Sequence, residues 1–345
     1  MSRQSVQNSN GGGRRPPRRP PRHVARPRPR ARPIARPVKA LSLCSGMAGD
    51  AAAFELAGIP HELTGVAEID PVASAVLAYK FPTTPNLGDL NSCDWSSFHG
   101  QIDILTAGFP CQPHSASGLR KGLNDPRECS AGVLNAVAAV EPEWVLLENV
   151  PGFASSNGGR ALRQLLTRLR GLGYRCDVTV IDAADILPQR RRRLWILGHR
   201  GGAGPAPSDV FALAAGGSGR AASRKPLRVQ DAARPATRPD LHHPPRLGTL
   251  TASGSGIVKA GMRLSELDFL VVQTIRGHGR IVRRPTSLEI MRAQGFRDDW
   301  LHGVTWHGKL LTRAQIARLV GNAWPVPVAA LILAAIRQLD GWASA

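Results

Sequence analysis

The sequence predicts an α/β fold built on a doubly wound, mostly parallel sheet, with a small irregular segment inserted before its C-terminal part. Three observations predict it. Short apolar runs of strand length recur along the chain, helical stretches separate them, and the residues that carry chemistry fall just after the runs rather than inside them. Lys39-Ala-Leu-Ser-Leu43 is the first strand, followed by a small-residue turn and a helix through Ala51-Ala-Ala-Phe-Glu-Leu56 that stops at Gly58. Leu63–Ala67 is the second strand, and Pro71 opens the helix that runs to Tyr79. A third strand is expected to end at Asp89. Ile102–Thr106 and Trp144–Leu147 are buried-type strands with a helix between them at 130–140, and Tyr174–Ile181 and Arg193–Leu197 close the sheet.

Composition shifts near residue 199. From 199 to 282 the chain is rich in Gly, Ala, Pro and Arg and lacks long periodic segments, so a separate small domain is expected there. Periodicity returns within 283–345, in a helix over Thr286–Phe296 and an amphipathic helix over Val326–Leu339. At the other end, residues 1–38 are Arg/Pro/Gly-rich, as in Gly11-Gly-Gly-Arg-Arg-Pro-Pro-Arg-Arg-Pro20. Proline at that density prevents a helix and nothing apolar is available to bury, so a disordered tail is expected.

Of the formal charge of +20, residues 1–39 supply +12 through eleven Arg and one Lys with no acid, which leaves about +8 on the remainder. A surplus on the body itself favours a polyanionic partner, because neutralising phosphates drives sequence-independent binding to nucleic acid. Solubility alone is the competing explanation. The tail reads either as a nonspecific phosphate contact or as a dispensable extension. The five cysteines, at 44, 93, 111, 129 and 176, are odd in number and form no Cys-x-x-Cys pair, so neither a zinc knuckle nor a disulfide framework is suggested. No apolar stretch approaches the ~20 residues that cross a bilayer. A soluble, cytoplasmic protein without metal or membrane partner is the expectation.

The chemistry-bearing residues gather where the strands end. Cys44-Ser-Gly-Met-Ala-Gly49 is a turn whose glycines let backbone N–H groups approach a ligand at a helix N-terminus. Glu68 ends the second strand, where a carboxylate can accept from both hydroxyls of a ribose, and Asp89 can accept from an adenine amino group. The three in this order fit an adenosine ligand, and the absence of Gly-x-Gly-x-x-Gly argues against a dinucleotide. Gly108-Phe-Pro-Cys-Gln-Pro-His-Ser115 places Cys111 in a loop unsuited to a core, over the edge where substrates bind, so Cys111 is the candidate nucleophile. Glu148, closing the next strand in Glu148-Asn-Val150, suits general-acid work or a hydrogen bond to a base ring. In Gln189-Arg-Arg-Arg-Arg193, strand alternation sends Arg191 and Arg193 to one side, toward a phosphate and a base carbonyl.

Assembled, these residues resemble the DNA cytosine-5 methyltransferase family, of bacterial or phage type, over residues 40–198 and 283–335. Leu43–Gly49 is similar to its first cofactor motif, Pro110-Cys111-Gln112 to its nucleophile motif, Glu148–Val150 to its base-binding motif and Gln189-x-Arg191-x-Arg193 to its Gln-x-Arg-x-Arg signature. Arg283–Asp299 resembles the element that scaffolds target recognition, and Gly321-Asn-Ala-Trp-Pro-Val-Pro-Val328 its last motif. The resemblance implies a Rossmann-like, S-adenosylmethionine-dependent catalytic domain with target recognition in 199–282. It implies a methyl group transferred to carbon 5 of a flipped-out cytosine through a covalent adduct of Cys111, with Glu148, Arg191 and Arg193 beside it.

The implied cofactor residues are Cys44, Gly46, Met47, Gly49, Glu68, Ile69, Asp89, Leu90, Pro110, Asn322 and Ala323. The implied DNA contacts are Gln112, Ser115, Gln189, Thr251 (in Leu247-Gly-Thr-Leu-Thr-Ala252) and Arg276. The implied partner is double-stranded DNA, bound by a monomer, with a cognate restriction endonuclease as a candidate companion. This chain departs from the pattern at Cys44, where Phe is usual, at Ala48, where Gly is usual, and at Pro285, where Leu is usual. The alternatives are a tRNA cytosine-5 methyltransferase on the same fold and a DNA-binding relic without activity.

Overall fold

A computed structural model describes residues 36–109, 129–216, 271–275 and 279–343. Six strands form the main sheet: β1 (Val38–Leu43), β2 (His61–Ala67), β3 (Ile104–Gly108), β4 (Trp144–Asn149), β5 (Tyr174–Asp182) and β6 (Arg192–Arg200), in the order β2-β1-β3-β4-β6-β5. The first four run parallel, and β6 is antiparallel to both β4 and β5. The chain leaves β1 toward β2 on one side and returns to β3 on the other. The carboxyl ends of β1 and β3 therefore diverge into a crevice, the place where open α/β sheets bind ligands.

Both faces of the sheet are covered, which explains why its strands read as continuous apolar runs rather than alternating ones. On one face lie Val38, Ala40, Trp144, Leu146, Trp195 and Leu197; on the other lie Leu41, Leu43, Val145, Leu147, Leu194 and Ile196. The first face is packed by α1 (Gly49–Leu56), α2 (Pro71–Lys80) and the C-terminal helices; the second by α3 (Ser130–Val140) and, beyond the short α4 (Gly152–Ser155), by α5 (Arg160–Gly171). Asp70 caps α2 by accepting from the backbone N–H of Val72 and Ala73, with Pro71 in the first turn.

Three sequence expectations change. The expected third strand near Asp89 is only an isolated bridge, Val66 to Asn86. Pro85 and Gly88 bracket it, and the Asn86 side chain bonds the Glu68 backbone in place of a ladder. The segment beginning at 199 also starts inside the sheet domain: β6 continues to Arg200, and α6 (Pro207–Ala214) buries Val210 and Phe211 in the core. Third, one stretch, 313–340, has the length and apolarity to cross a bilayer, but it is split into α8 (Arg313–Asn322) and α9 (Val326–Asp340), and 78% of its most apolar window is buried. It is a core element.

β7 (Val271–Ile275) and β8 (Gly279–Arg283) form an antiparallel ribbon that leads back to the sheet domain through α7 (Ser287–Gln294). α7 begins with a reciprocal cap: Thr286 accepts from the Glu289 N–H while the Glu289 carboxylate accepts from the Thr286 N–H. Arg283, backed by Thr286, holds the Glu289 carboxyl down at about 2. Thr286→Ala is expected to lower unfolding free energy by about 1 kcal/mol in urea titrations at pH 7. A carboxyl depressed on folding stabilises above its ordinary range, so the part owed to Glu289 should fade as pH falls from about 4.5 toward 2, and Glu289→Gln should lack that acid loss.

Candidate active site

The turn after β1 is held in an unusual backbone. Cys44, Gly46 and Ala48 all have positive φ, at 50°, 54° and 59°. For Ala48 and Cys44 the left-handed region costs roughly 1–2 kcal/mol each. Ala48 caps α1, so the glycine usual in similar sequences has a steric reason, and the replacement is not the mild change that its small size suggests. The turn is tied to β2 by Glu68, whose carboxylate accepts from the Gly46 N–H and the Asp70 N–H, both at 2.7 Å. Burial raises the Glu68 carboxyl above the ordinary range, against the lowering pull of those two N–H groups.

A cavity of about 370 Å³ opens from this turn along the carboxyl edge of the sheet. Cys44, Gly46, Glu68, Ile69, Asp89 and Leu90 line it together with Gly108, Glu148, Arg191 and Arg193, and Asn322 at the end of α8 adds to the wall. Ile69 is 73% exposed, an apolar side chain left at the mouth. Asp89 accepts from the backbone and side-chain nitrogens of Asn91, which orients its carboxylate. Gly49 and Ala323 line a smaller adjoining hollow. Met47 lines neither: its side chain is fully buried, and its carbonyl accepts from the Trp300 indole at 2.9 Å.

At the ends of β3 and β4, register sets the chemistry. Glu148, on β4, lies opposite Gly108 on β3 and Trp195 on β6. Arg193 Nε stands 2.7 Å from Glu148 Oε1, and both side chains are about nine-tenths buried. Burial pushes the Glu148 carboxyl up, opposed by the Arg193 and Arg191 guanidinium groups. Arg191, expected to meet a phosphate, is turned inward instead: it is 2% exposed, and its Nη2 donates to the carbonyls of Gly321 and Ala323 at 3.1 and 2.7 Å. It precedes β6, so strand alternation does not govern it; the returning C-terminal loop does. Gln189, expected to face DNA, is fully buried. Pro110, Cys111, Gln112, Ser115, Thr251 and Arg276 lie outside the described residues. The segment with Pro110, Cys111, Gln112 and Ser115 follows Phe109, whose carbonyl accepts from Asn149 and whose ring meets Phe153 edge to face.

Several wall residues escaped the sequence reading. Arg318 and Asp70 line the cavity and form an ion pair at 2.7 Å, joining α8 to the cap of α2. The Thr312-x-x-Gln315 capping pattern, which the structure confirms at the start of α8, was the available signal. Trp324 stands against Gly49, Gly108 and Trp195, and a Cβ at Gly108 would overlap its indole nitrogen. Thr106 on β3 donates to the buried carboxylate of Asp50, joining the first turn of α1 to the strand that leads to Cys111.

One group elsewhere has metal-ligand composition: Glu143, His199 and Asp340 bring ligand atoms within 4.8 Å of one another. Arg175 Nη2 stands 3.0 Å from His199 Nδ1. Since arginine only donates, the neutral ring carries its proton on Nε2, the nitrogen aimed at the group, which is the wrong tautomer for ligation.

Residues 38–215 match the family described as C-5 cytosine-specific DNA methylase. The chain is 30% identical over 325 aligned positions to the Type II methyltransferase M2.BsuMI of Bacillus subtilis, covering 88% of this chain and 76% of that protein. It is 29% identical to the Type II methyltransferase M.PspPI of a Psychrobacter species, over 87% of this chain and 79% of the relative. Among solved structures it is similar to the S. pombe Dnmt2 methyltransferase, with a TM-score of 0.59 at 21% identity, over 87% of this chain and 98% of that one.

Two substitutions test the geometry. Ala48→Gly should raise stability by about 0.5–1 kcal/mol in thermal melts, the relieved strain being partly offset by glycine's greater chain entropy. Gly108→Ala should cost about 1–3 kcal/mol by driving a methyl group against Trp324.

Proposed function

The chain belongs to the C-5 cytosine-specific DNA methylase family, and on that premise we propose that it methylates carbon 5 of a cytosine flipped out of a specific duplex site, through a covalent adduct of Cys111. The observation that carries this reading is the buried Glu148–Arg193 pair. It stands at the carboxyl edge of the sheet beside Gly108, three residues before Cys111, in one cavity with Glu68 and Asp89.

The cavity fits an adenosine-bearing cofactor. Two acids, Glu68 and Asp89, are held by backbone and amide donors on its wall, and Ile69 offers an apolar face. Bound there, S-adenosylmethionine supplies an electrophilic methyl group. Gly46, Glu68, Ile69, Asp89, Leu90 and Asn322 are the residues proposed to hold it.

The chain's own chemistry follows from charge and position. A cytosine within a duplex is inaccessible, and extruding it costs a few kcal/mol. The Cys111 thiolate adds to carbon 6, and the electron pair displaced toward ring nitrogen 3 is met by a proton from Glu148. Carbon 5 then has enamine character and bonds to the methyl group. The nitrogen 3 proton returns to Glu148, and loss of the carbon 5 proton to water expels Cys111 as thiolate and restores the ring. A carboxyl raised by burial is suited to deliver that proton, and Arg193 holds it in place and reaches the base carbonyl. Arg191 is a positioning residue in this scheme, keeping the C-terminal loop against the cavity.

The part of 199–282 that follows α6 is proposed to supply target recognition, with the β7–β8 ribbon at its end and 283–345 as the return to the catalytic domain. The arginine-rich segment 1–38 is proposed to add phosphate contacts. The Type II designation of the relatives supports a cognate restriction endonuclease as companion.

Transfer of labelled methyl groups to duplex DNA and to tRNA decides the substrate: label in DNA that bisulfite sequencing maps to one sequence context is expected, and label in tRNA alone overturns the reading. Cys111→Ala should abolish transfer while duplex affinity stays within a few-fold. Glu148→Gln should slow single-turnover transfer by ~10²–10⁴-fold. Because the protonated carboxyl is the donor, wild-type rates should fall as pH rises through the raised Glu148 value, and the Gln variant should lose that limb.

A further inference from the structure

Two of the cavity's wall residues are cysteines that the mechanism does not use. Cys44 opens the turn after β1 and Cys129 caps α3, 85 residues later. Both are part-buried thiols outside any disulfide, both line the same cavity, and contact with Cys129 is the first cause that holds the Cys44 thiol above its ordinary value. Cys129 is the first described residue after the segment that bears Cys111. The pair therefore joins the cofactor turn to the root of the nucleophile's segment.

We propose that Cys44 and Cys129 form a dithiol modification site, closed to a reversible disulfide by hydroperoxides, that gates entry of the cofactor. The geometry supplies the parts. Cys129 sits at the N-terminus of an eleven-residue helix, where backbone N–H groups favour negative charge on sulfur. Its thiolate attacks one peroxide oxygen, the O–O bond breaks, and the products are a sulfenic acid on Cys129 and an alcohol or water. The Cys44 sulfur then displaces that oxygen as water, and the S–S bond forms. The two thiols lose two electrons and two protons, and the peroxide takes them up.

Consequences follow from distance. Thiols in contact must approach to about 2 Å to bond. That movement draws on Cys44, two residues from Gly46, whose N–H is one of the two that fix Glu68. The turn and the ribose-binding acid shift together. The neighbours also set the pace. Its contact with Cys129, its burial and the nearby carboxylates of Glu68 and Asp89 hold the Cys44 thiol well above its ordinary value. Closure should accordingly be slow at neutral pH and quicken as pH rises.

The disulfide rests on the two thiols meeting on one cavity wall, whereas the gating rests on the reading of the cavity as the S-adenosylmethionine site. Full-length protein carrying Cys111→Ala, which removes the competing thiol, is treated with hydrogen peroxide, alkylated and mapped by mass spectrometry, and S-adenosylmethionine binding is measured by calorimetry. A Cys44–Cys129 linked peptide is expected, with Cys93 and Cys176 alkylated. At least a tenfold loss of affinity is expected, reversed by dithiothreitol and absent in a Cys129→Ser version. Recovery of Cys44 and Cys129 as alkylated thiols, or linkage of either to another cysteine, overturns the site. A linked peptide with unchanged affinity overturns the gating. Protein that fails to bind S-adenosylmethionine even when reduced overturns the cofactor reading and the gating, while the peptide map still decides the disulfide.

Discussion

The arrangement depends on where Arg191 spends its charge. A guanidinium that is 2% exposed must be matched by acceptors, since a buried unpaired charge costs several kcal/mol. Its acceptors include the carbonyls of Gly321 and Ala323, 130 residues away. Gln294 donates to the same Ala323 carbonyl, so α7, the loop between α8 and α9, and the entry to β6 converge on one peptide. That convergence sets the last wall of the cavity, because Arg318, Asn322 and Trp324 belong to the stretch so anchored.

From this anchor the two halves of the site are held at a set spacing. Trp324 stands between Gly49 and Gly108 and against Trp195, so the cofactor turn, the end of β3 and β6 share one large ring. The carboxylate of Asp50 reaches Thr106 beneath it. At the opposite edge of the sheet, Asp340 accepts from the indoles of Trp144 and Trp342 and pins the end of α9. The C-terminal helices are therefore fastened at both ends of the sheet, and the cavity lies between fastened elements.

The turn after β1 carries the strain. Two non-glycine residues in the left-handed region are tolerated because the surroundings over-determine them: Ala48 is fully buried, and Glu68 grips the Gly46 N–H between them. Strain of this kind concentrates where a backbone must approach a ligand. The same turn puts the Cys44 sulfur, on the cavity wall, beside Cys129.

Local pattern alone determined most of the fold. Strands buried on both faces must be apolar throughout, so β1, β3, β4 and β6 were legible as runs, and α3 and α9 were legible by periodicity and punctuation. Two acids at strand ends were legible for a related reason: Glu68 and Glu148 follow directly from where a parallel sheet opens, whereas the strand expected to end at Asp89 is only an isolated bridge. Tertiary structure decided what neighbours in sequence cannot express. Arg191 and Arg193 are two residues apart and were read alike, yet one is taken by carbonyls returning from the C-terminus and the other faces Glu148. Gln189 and Met47 went into the core for the same reason, and Arg318, Asp70 and Cys129 entered the wall. A side chain's identity says which partners it can accept; which of them arrives depends on chain segments more than a hundred residues away, and only packing brings those together.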